Sequence, residues 1–122
     1  MIVGKVSMDG EALVRVQIRR RGAQAQDVEA ILDTGFNGSL ALPYDQIQEM
    51  DLPRAGRAKF VAASGQVHVV GRYEASVRFG GKHKDIEVVE AAEPLLGTKM
   101  LRGYEVCINY AEDGHIEIEA VP

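Results

Sequence analysis

One carboxylate in this chain is framed for chemistry. Asp33 follows two apolar residues, Ile31 and Leu32, and heads a Thr34-Gly35 turn. Much further along, Leu95-Leu96-Gly97 ends a second apolar segment. A carboxylate at the end of a buried strand can do acid–base work if a second one meets it. The ionised member of such a pair takes a proton from water as the water attacks an amide carbon. The neutral member hydrogen-bonds the carbonyl oxygen, and protons then pass to the departing nitrogen. Two carboxylates about 3 Å apart cannot both ionise, so they titrate as a unit with separated apparent pKa values. This chemistry needs no cofactor and no metal.

The chain carries a single Asp-Thr-Gly triplet. Asp9, Asp45, Asp51 and Asp85 lack the apolar flanks, and Asp113-Gly114 reads as a hairpin turn. The second carboxylate must therefore come from a second copy of the chain. The expected assembly is an isologous homodimer with the two Asp33 residues at its twofold axis. Taken alone, the triplet is also sound turn chemistry, with Asp capping and Gly turning.

The elements that position Asp33 follow a period of two. Ala12, Val14, Val16 and Ile18 share one strand face, as do Tyr73, Ala75, Val77 and Phe79, then Tyr104, Val106, Ile108 and Tyr110, then Ile116 and Ile118. Asp9-Gly10, Arg21-Gly22, Ser64-Gly65, Gly80-Gly81 and Asp113-Gly114 punctuate the runs. The pattern predicts a mostly antiparallel β domain, a small barrel or a sandwich. Short helices are expected over residues 43–50, with Pro43 in the first turn, and over residues 97–102. No linker or repeat interrupts the chain, so residues 1–122 are expected to form one domain.

Composition narrows the function classes. The 122 residues are 46% hydrophobic and 26% charged, ordinary for a globular domain. No apolar run is long enough to span a bilayer, so no membrane partner is expected. Met1-Ile2-Val3-Gly4-Lys5 lacks a secretory leader pattern, and the lone Cys107 fits a reducing compartment, so a cytoplasmic location is expected. A net charge of −4 argues against a nucleic-acid partner. The one basic run, Arg19-Arg20-Arg21-Gly22, reads as a solvated turn.

Ile31-Leu32-Asp33-Thr34-Gly35 together with Leu95-Leu96-Gly97 resembles the retroviral-type (retropepsin-like) aspartic protease family, in particular its bacterial members reading Asp-Thr-Gly-Phe. The resemblance runs from about Val14 to Tyr110 in the family's order: a strand pair, the Asp33 loop, a central hairpin, then an apolar-apolar-Gly segment entering a short helix. It implies a small closed β-barrel with one or two short helices, an aspartic endopeptidase activity, and a peptide or protein substrate. Asp33, Thr34 and Gly35 would form the catalytic loop, with the threonines of the two copies interlocking. Phe36, Asn37 and Leu96 would contact substrate. The family's covering hairpin, the flap, would match Phe60 to Val69, with Ala63, Ser64 and Gly65 at its tip; an ordinary solvated hairpin is the alternative. An extended peptide beneath it would pair as a strand.

Three positions depart from the viral pattern. Phe36 replaces a small residue, and its ring either lines a substrate pocket or partly fills one. Asn37 stands where viral enzymes hold the substrate backbone with an acid. Thr98 replaces the arginine that pairs with that acid, so no stranded charge is implied. The apolar-alternating ends, Ile2 to Val6 and Ile116 to Val121, would fasten the dimer by analogy or be edge strands of the monomer's own sheet. These departures motivate a second reading, a catalytically inactive dimerisation or peptide-binding module on the same fold. A monomeric barrel with a structural Asp-Thr-Gly turn is a third.

Other candidates carry little. His68, His83 and His115 follow no ligand spacing. His83 is expected in a Lys82-His83-Lys84 turn. Cys107 has no nucleophile signature, and Ser39 and Ser64 lack an elbow context. Glu87, Glu90 and Glu93 read as a solvated acidic stretch.

Overall fold

The computed structural model covers Met1–Pro122. Ten strands and two short helices follow one another as β1 (Ile2–Val6), β2 (Ala12–Arg19), β3 (Gln26–Leu32), β4 (Leu40–Leu42), α1 (Tyr44–Glu49), β5 (Arg54–Val61), β6 (Val67–Phe79), β7 (Lys82–Glu90), β8 (Leu95–Leu96), α2 (Thr98–Leu101), β9 (Tyr104–Ile108) and β10 (His115–Ala120). The sheet runs β5-β6-β7-β4-β8-β3-β2-β1-β10-β9, and an added β6–β2 pairing closes it. The closed ring is therefore β6-β7-β4-β8-β3-β2, a barrel of six strands. Closure removes the edges that an open sheet would expose.

Alternation decides which side chains fill the ring. Ala12, Val14, Val16 and Ile18 on β2 and Tyr73, Ala75, Val77 and Phe79 on β6 are all buried, and they join a single core cluster of 23 residues. Each large aliphatic buried this way contributes about 1.5–3 kcal/mol. Ile116 and Ile118 extend the same core under β10. On β9 the alternation stops at Ile108; Tyr110, expected on the apolar face, lies beyond the strand and is 68% exposed. The helices form where expected, with Pro43 and Gly97 as their N-caps rather than inside the first turn.

The turns behave as their residues dictate. The Arg19-Arg20-Arg21 run enters the β2–β3 turn, where the Ala23 N–H donates to the Arg20 carbonyl at 2.9 Å. Arg20 and Arg21 face Asp51 and Asp85, so each cation has an acidic neighbour. Gly80-Gly81 makes the β6–β7 turn, which places His83 within β7 and corrects its expected turn position. Glu87 and Glu90 are also not simply solvated. Glu87 accepts from Arg72 at 2.7 Å, and Glu90 accepts from the Tyr73 hydroxyl at 2.8 Å.

The terminal strands lie inside the monomer's own sheet. β1 pairs with β2 on one side and β10 on the other, and β10 pairs with β1 and β9. β1 is paired on both sides over Gly4–Val6 and β10 over Ile116–Ile118, so the ends join the monomer's own sheet, as inner strands rather than edges. Apolar ends of one chain have found each other, which satisfies their backbone groups locally.

Candidate active site

β3 delivers Asp33. Leu13 of β2 lies opposite Ile31, and β8 runs parallel on the other side with Leu95 opposite Ile31 and Leu96 opposite Leu32. β4 then packs antiparallel on β8, pairing Leu40 with Leu96. The apolar residues that flank the triplet and those of the second segment are therefore strand neighbours. Ile31 N–H donates to Pro94 O and Asp33 N–H to Leu96 O, both at 2.9 Å.

The loop that follows is stitched to the start of α2. Gly97 N–H donates to Ser39 O at 2.9 Å, Thr98 N–H to Phe36 O at 2.9 Å, and Lys99 N–H to Gly38 O at 3.1 Å. These three bonds fix the loop backbone without any charged pair. Thr98 thus holds the loop through its main chain, although it lacks the guanidinium that the viral pattern would place there. Gly97 is required by proximity. A Cβ there would overlap the Gly38 carbonyl oxygen and stand 2.7 Å from Phe36 Cδ2 and 2.8 Å from Phe36 O.

Asp33 itself is half-buried at the head of a tight turn. Phe36 N–H donates to Asp33 O at 3.2 Å, and Gly35 N–H donates to Asp33 Oδ1 at 2.9 Å. One carboxylate oxygen is oriented by the backbone and Oδ2 remains open. Thr34 and Gly35 are exposed beside it.

The residues expected to contact substrate divide into three groups. Phe36 and Asn37 continue the Asp33 turn, half-buried and exposed respectively. The Phe36 ring folds back over Gly38 and Gly97; a Cβ on Gly38 would meet its Cζ at 2.6 Å. The ring also borders a cleft of about 1160 Å³ together with Gly38, Ser39, Ala58 and Met100. It therefore both fills space beside the carboxylate and lines the adjoining groove, which does not reach Asp33. Ala63, Ser64 and Gly65 sit exposed at the tip of the β5–β6 arm and share no hydrogen bond with the loop. The tip is closed by Gly65 N–H to Ala62 O at 2.8 Å and Ala62 N–H to Gln66 O at 2.9 Å, with Gly65 at φ +85°. Leu96 is 0% exposed, which corrects its expected substrate contact. It supports Asp33 from beneath, through its carbonyl oxygen.

Sequence reasoning missed the fastening of the arm. Between Arg54 and Gly56 the β5–β6 register shifts by a bulge. Arg72 spans it, donating to Ala55 O at 3.0 Å and to Glu87 Oε2 at 2.7 Å. One position on, Tyr73 is buried and donates to Glu90. That hydrogen bond, burial and the Glu90 charge together raise the Tyr73 pKa above its ordinary value. Alternation marked Tyr73 only as a core residue; its partner, Glu90, gave no signal. No group of three or more His, Cys, Asp or Glu stands where it could hold a metal ion, and no helix is long and apolar enough to cross a membrane.

No protein-family model and no curated protein matches the chain. Among solved structures the fold is similar to EIAV protease complexed with the inhibitor HBY-793, at 15% identity and a TM-score of 0.59. The match covers 78% of this chain and 88% of that one. The fold is a retropepsin-like barrel.

Proposed function

We propose that the chain is an aspartic endopeptidase that works as a homodimer, one Asp33 from each copy, with residues 1–122 acting as a single retropepsin-like domain. The observation that carries this reading is the Asp33 turn. Its carboxylate is half-buried at a strand end, its main chain is tied to Leu96, and one oxygen is oriented by the Gly35 N–H. A group so held loses little freedom on meeting its counterpart across a twofold axis. In the dimer one carboxylate takes a proton from the attacking water. The other, neutral, hydrogen-bonds the scissile carbonyl. The exposed Thr34 hydroxyls reach across the axis, and Gly35 leaves room for the substrate backbone.

Substrate binds in this reading as an extended strand beneath the β5–β6 arm, whose Ala63-Ser64-Gly65 tip closes over it. Phe36 and Asn37 contact the peptide beside the carboxylates. The exposed Val61, Val67 and Val69, which share one face of the arm, are apolar surface that such a peptide would cover, while Phe60 stacks on His68 on the other face. The family subtype reading Asp-Thr-Gly-Phe belongs to the same proposal, and the single, exposed Cys107 supports a cytoplasmic setting.

One observation favours a second reading, an inactive peptide-binding module. The Phe36 ring occupies space next to the carboxylate, over Gly38 and Gly97. Asp33→Asn separates the two. Asn keeps the side-chain oxygen that accepts from Gly35, so fold and self-association survive. Cleavage of a diverse peptide library, read by mass spectrometry from acid to neutral pH, is abolished if the carboxylate is the catalyst. If wild type and variant both leave the library intact while binding it equally, the module reading stands.

A further inference from the structure

The barrel wall is uneven beside β7. β7 pairs with β6 from Lys82 to Val89, but on its other side β4 covers only Val88 to Glu90, because β4 is three residues long. Ala91 N–H donates to Leu42 O at 3.1 Å, so odd-numbered residues here turn their N–H and C=O groups toward β4. The Asp85 N–H and C=O and the Glu87 N–H point the same way, ahead of the first β4 residue, and are left without a strand partner. The chain leading into β4 does not fill the gap. The carbonyl oxygens of Phe36, Gly38 and Ser39 accept instead from Thr98, Lys99 and Gly97. The cleft of about 1160 Å³ is lined from both sides of this gap, by Lys84, Asp85 and Glu87 on β7 and by Phe36, Gly38 and Lys99 on the loop and α2.

Charge in the cleft is unbalanced. Arg20, Arg21 and Arg72 face Asp51, Asp85 and Glu87. Lys84 and Lys99 line the same cleft and take part in no ion pair. Glu74 is the one lining acid without a basic partner, and it stands on β6, opposite Glu87 and a strand away from the gap. An unpaired strand edge attracts an extended chain by main-chain hydrogen bonds, and two unpaired ammonium groups select its side chains.

We propose that this half-edge of β7 is a second peptide-binding site, which takes an extended acidic segment of a protein substrate as an added strand. The inference rests on the protease reading for its occupant. Phe36 belongs to the Asp33 turn and also borders the cleft, so a chain leaving the carboxylates passes its ring on the way to β7. Side-chain faces set what is recognised. Lys84 lies opposite Val77 and Ile86 opposite Ala75, on one face of the sheet. An added strand sets one side chain beside Lys84 and another, two residues on, beside Ile86. An acid suits the first position and an apolar residue the second. Lys99, exposed on α2, takes a further acid. The gap offers about three main-chain hydrogen bonds, so the site reinforces binding at the carboxylates rather than replacing it.

The probe is acetyl-Thr-Glu-Thr-Glu-Thr-Val-Thr-amide, with the peptide carrying Lys for each Glu as its counterpart. Asp33→Asn protein, isotope-labelled for NMR, is titrated with each. The Glu peptide should move the Asp85 and Glu87 amide signals and slow their exchange with solvent; the Lys peptide should leave them unmoved. Lys84→Glu/Lys99→Glu protein should bind the Glu peptide about tenfold more weakly. Asp85→Pro removes an N–H that faces the gap and keeps the β6 pairing. It should abolish the shift at Glu87, with folding checked by circular dichroism. Equal binding of the two peptides, undiminished binding by the double variant, or shifts confined to Gly35, Ser64 and Gly65 overturns the proposal.

Cleavage separates this site from the protease itself. Wild-type protein should cut library peptides extended with the Glu-containing segment at a lower KM than unextended ones. The double variant should lose that difference and cut the unextended peptides as before. Library cleavage with no gain from the extension and no movement at Asp85 and Glu87 removes the second site and keeps the protease. Docking of the Glu peptide on β7 by a wild type that cuts nothing keeps the site and removes the protease.

Discussion

Replacing Gly97 with Ala should do more damage than any other single added methyl near the Asp33 loop. The new Cβ would overlap the Gly38 carbonyl oxygen and press on Phe36 Cδ2 at 2.7 Å and Phe36 O at 2.8 Å. Two of these three neighbours are backbone, so no rotamer change relieves them. The loop must move away from α2, straining the Gly97–Ser39, Thr98–Phe36 and Lys99–Gly38 bonds. Overpacking costs about 1–3 kcal/mol, and the three bonds, strained rather than lost outright, together add about 2 kcal/mol. A total of about 3–5 kcal/mol is a large part of the roughly 5–15 kcal/mol that holds a domain folded. For a chain of this length that lowers Tm by about 10–20 °C. Thermal and urea melts measure it. Gly65→Ala is the control, because its Cβ meets nothing within 4 Å and it bears only the strain of φ +85°, about 1–2 kcal/mol. A Gly97→Ala protein melting within about 2 °C of wild type would refute the close approach and the loop stitching derived from it.

Other consequences are narrower. Tyr73 holds its proton more tightly when folded, so the unfolded chain releases it first as pH rises. Stability should be level with respect to this group below about pH 10 and fall above it. Tyr73→Phe should flatten that alkaline slope and cost about 1–2 kcal/mol at neutral pH, because Glu90 loses its donor; urea melts across pH measure both. Arg72→Met removes the clasp over the β5 bulge. It should speed hydrogen exchange across residues 57–70 several-fold while moving the global melt by less than about 4 °C; a uniform change over the whole chain would count against a local clasp. Phe36→Ala should cost about 1–3 kcal/mol, less than a fully buried ring. It should shift cleavage toward larger side chains next to the scissile bond, and an unchanged cleavage profile would show that the ring fills space without selecting substrate.

Much of this architecture is legible before folding because a two-residue period states which face a side chain takes. β2, β6 and β10 sort their side chains as the alternation predicts. The Asp33 turn is legible for a related reason: apolar residues followed by Asp-Thr-Gly read as a strand running into a turn. What a period cannot state is which strand lies alongside. The pairing of Ile31 with Leu95 joins segments far apart in the chain, so Leu96 reads as apolar without revealing that it lies wholly beneath the loop. Glu90 looks solvated until β7 brings it to Tyr73.

The same limit governs assembly. Ile2–Val6 and the segment ending at Ala120 alternate convincingly, and alternation alone allows them to pair with each other or with a second copy. Only three-dimensional placement chooses. Once β10 lies between β1 and β9, both terminal strands are paired on each side over much of their length, and the sheet ends at Tyr104–Ile108. A strand's faces are set by its own residues, whereas its edges are set by its neighbours.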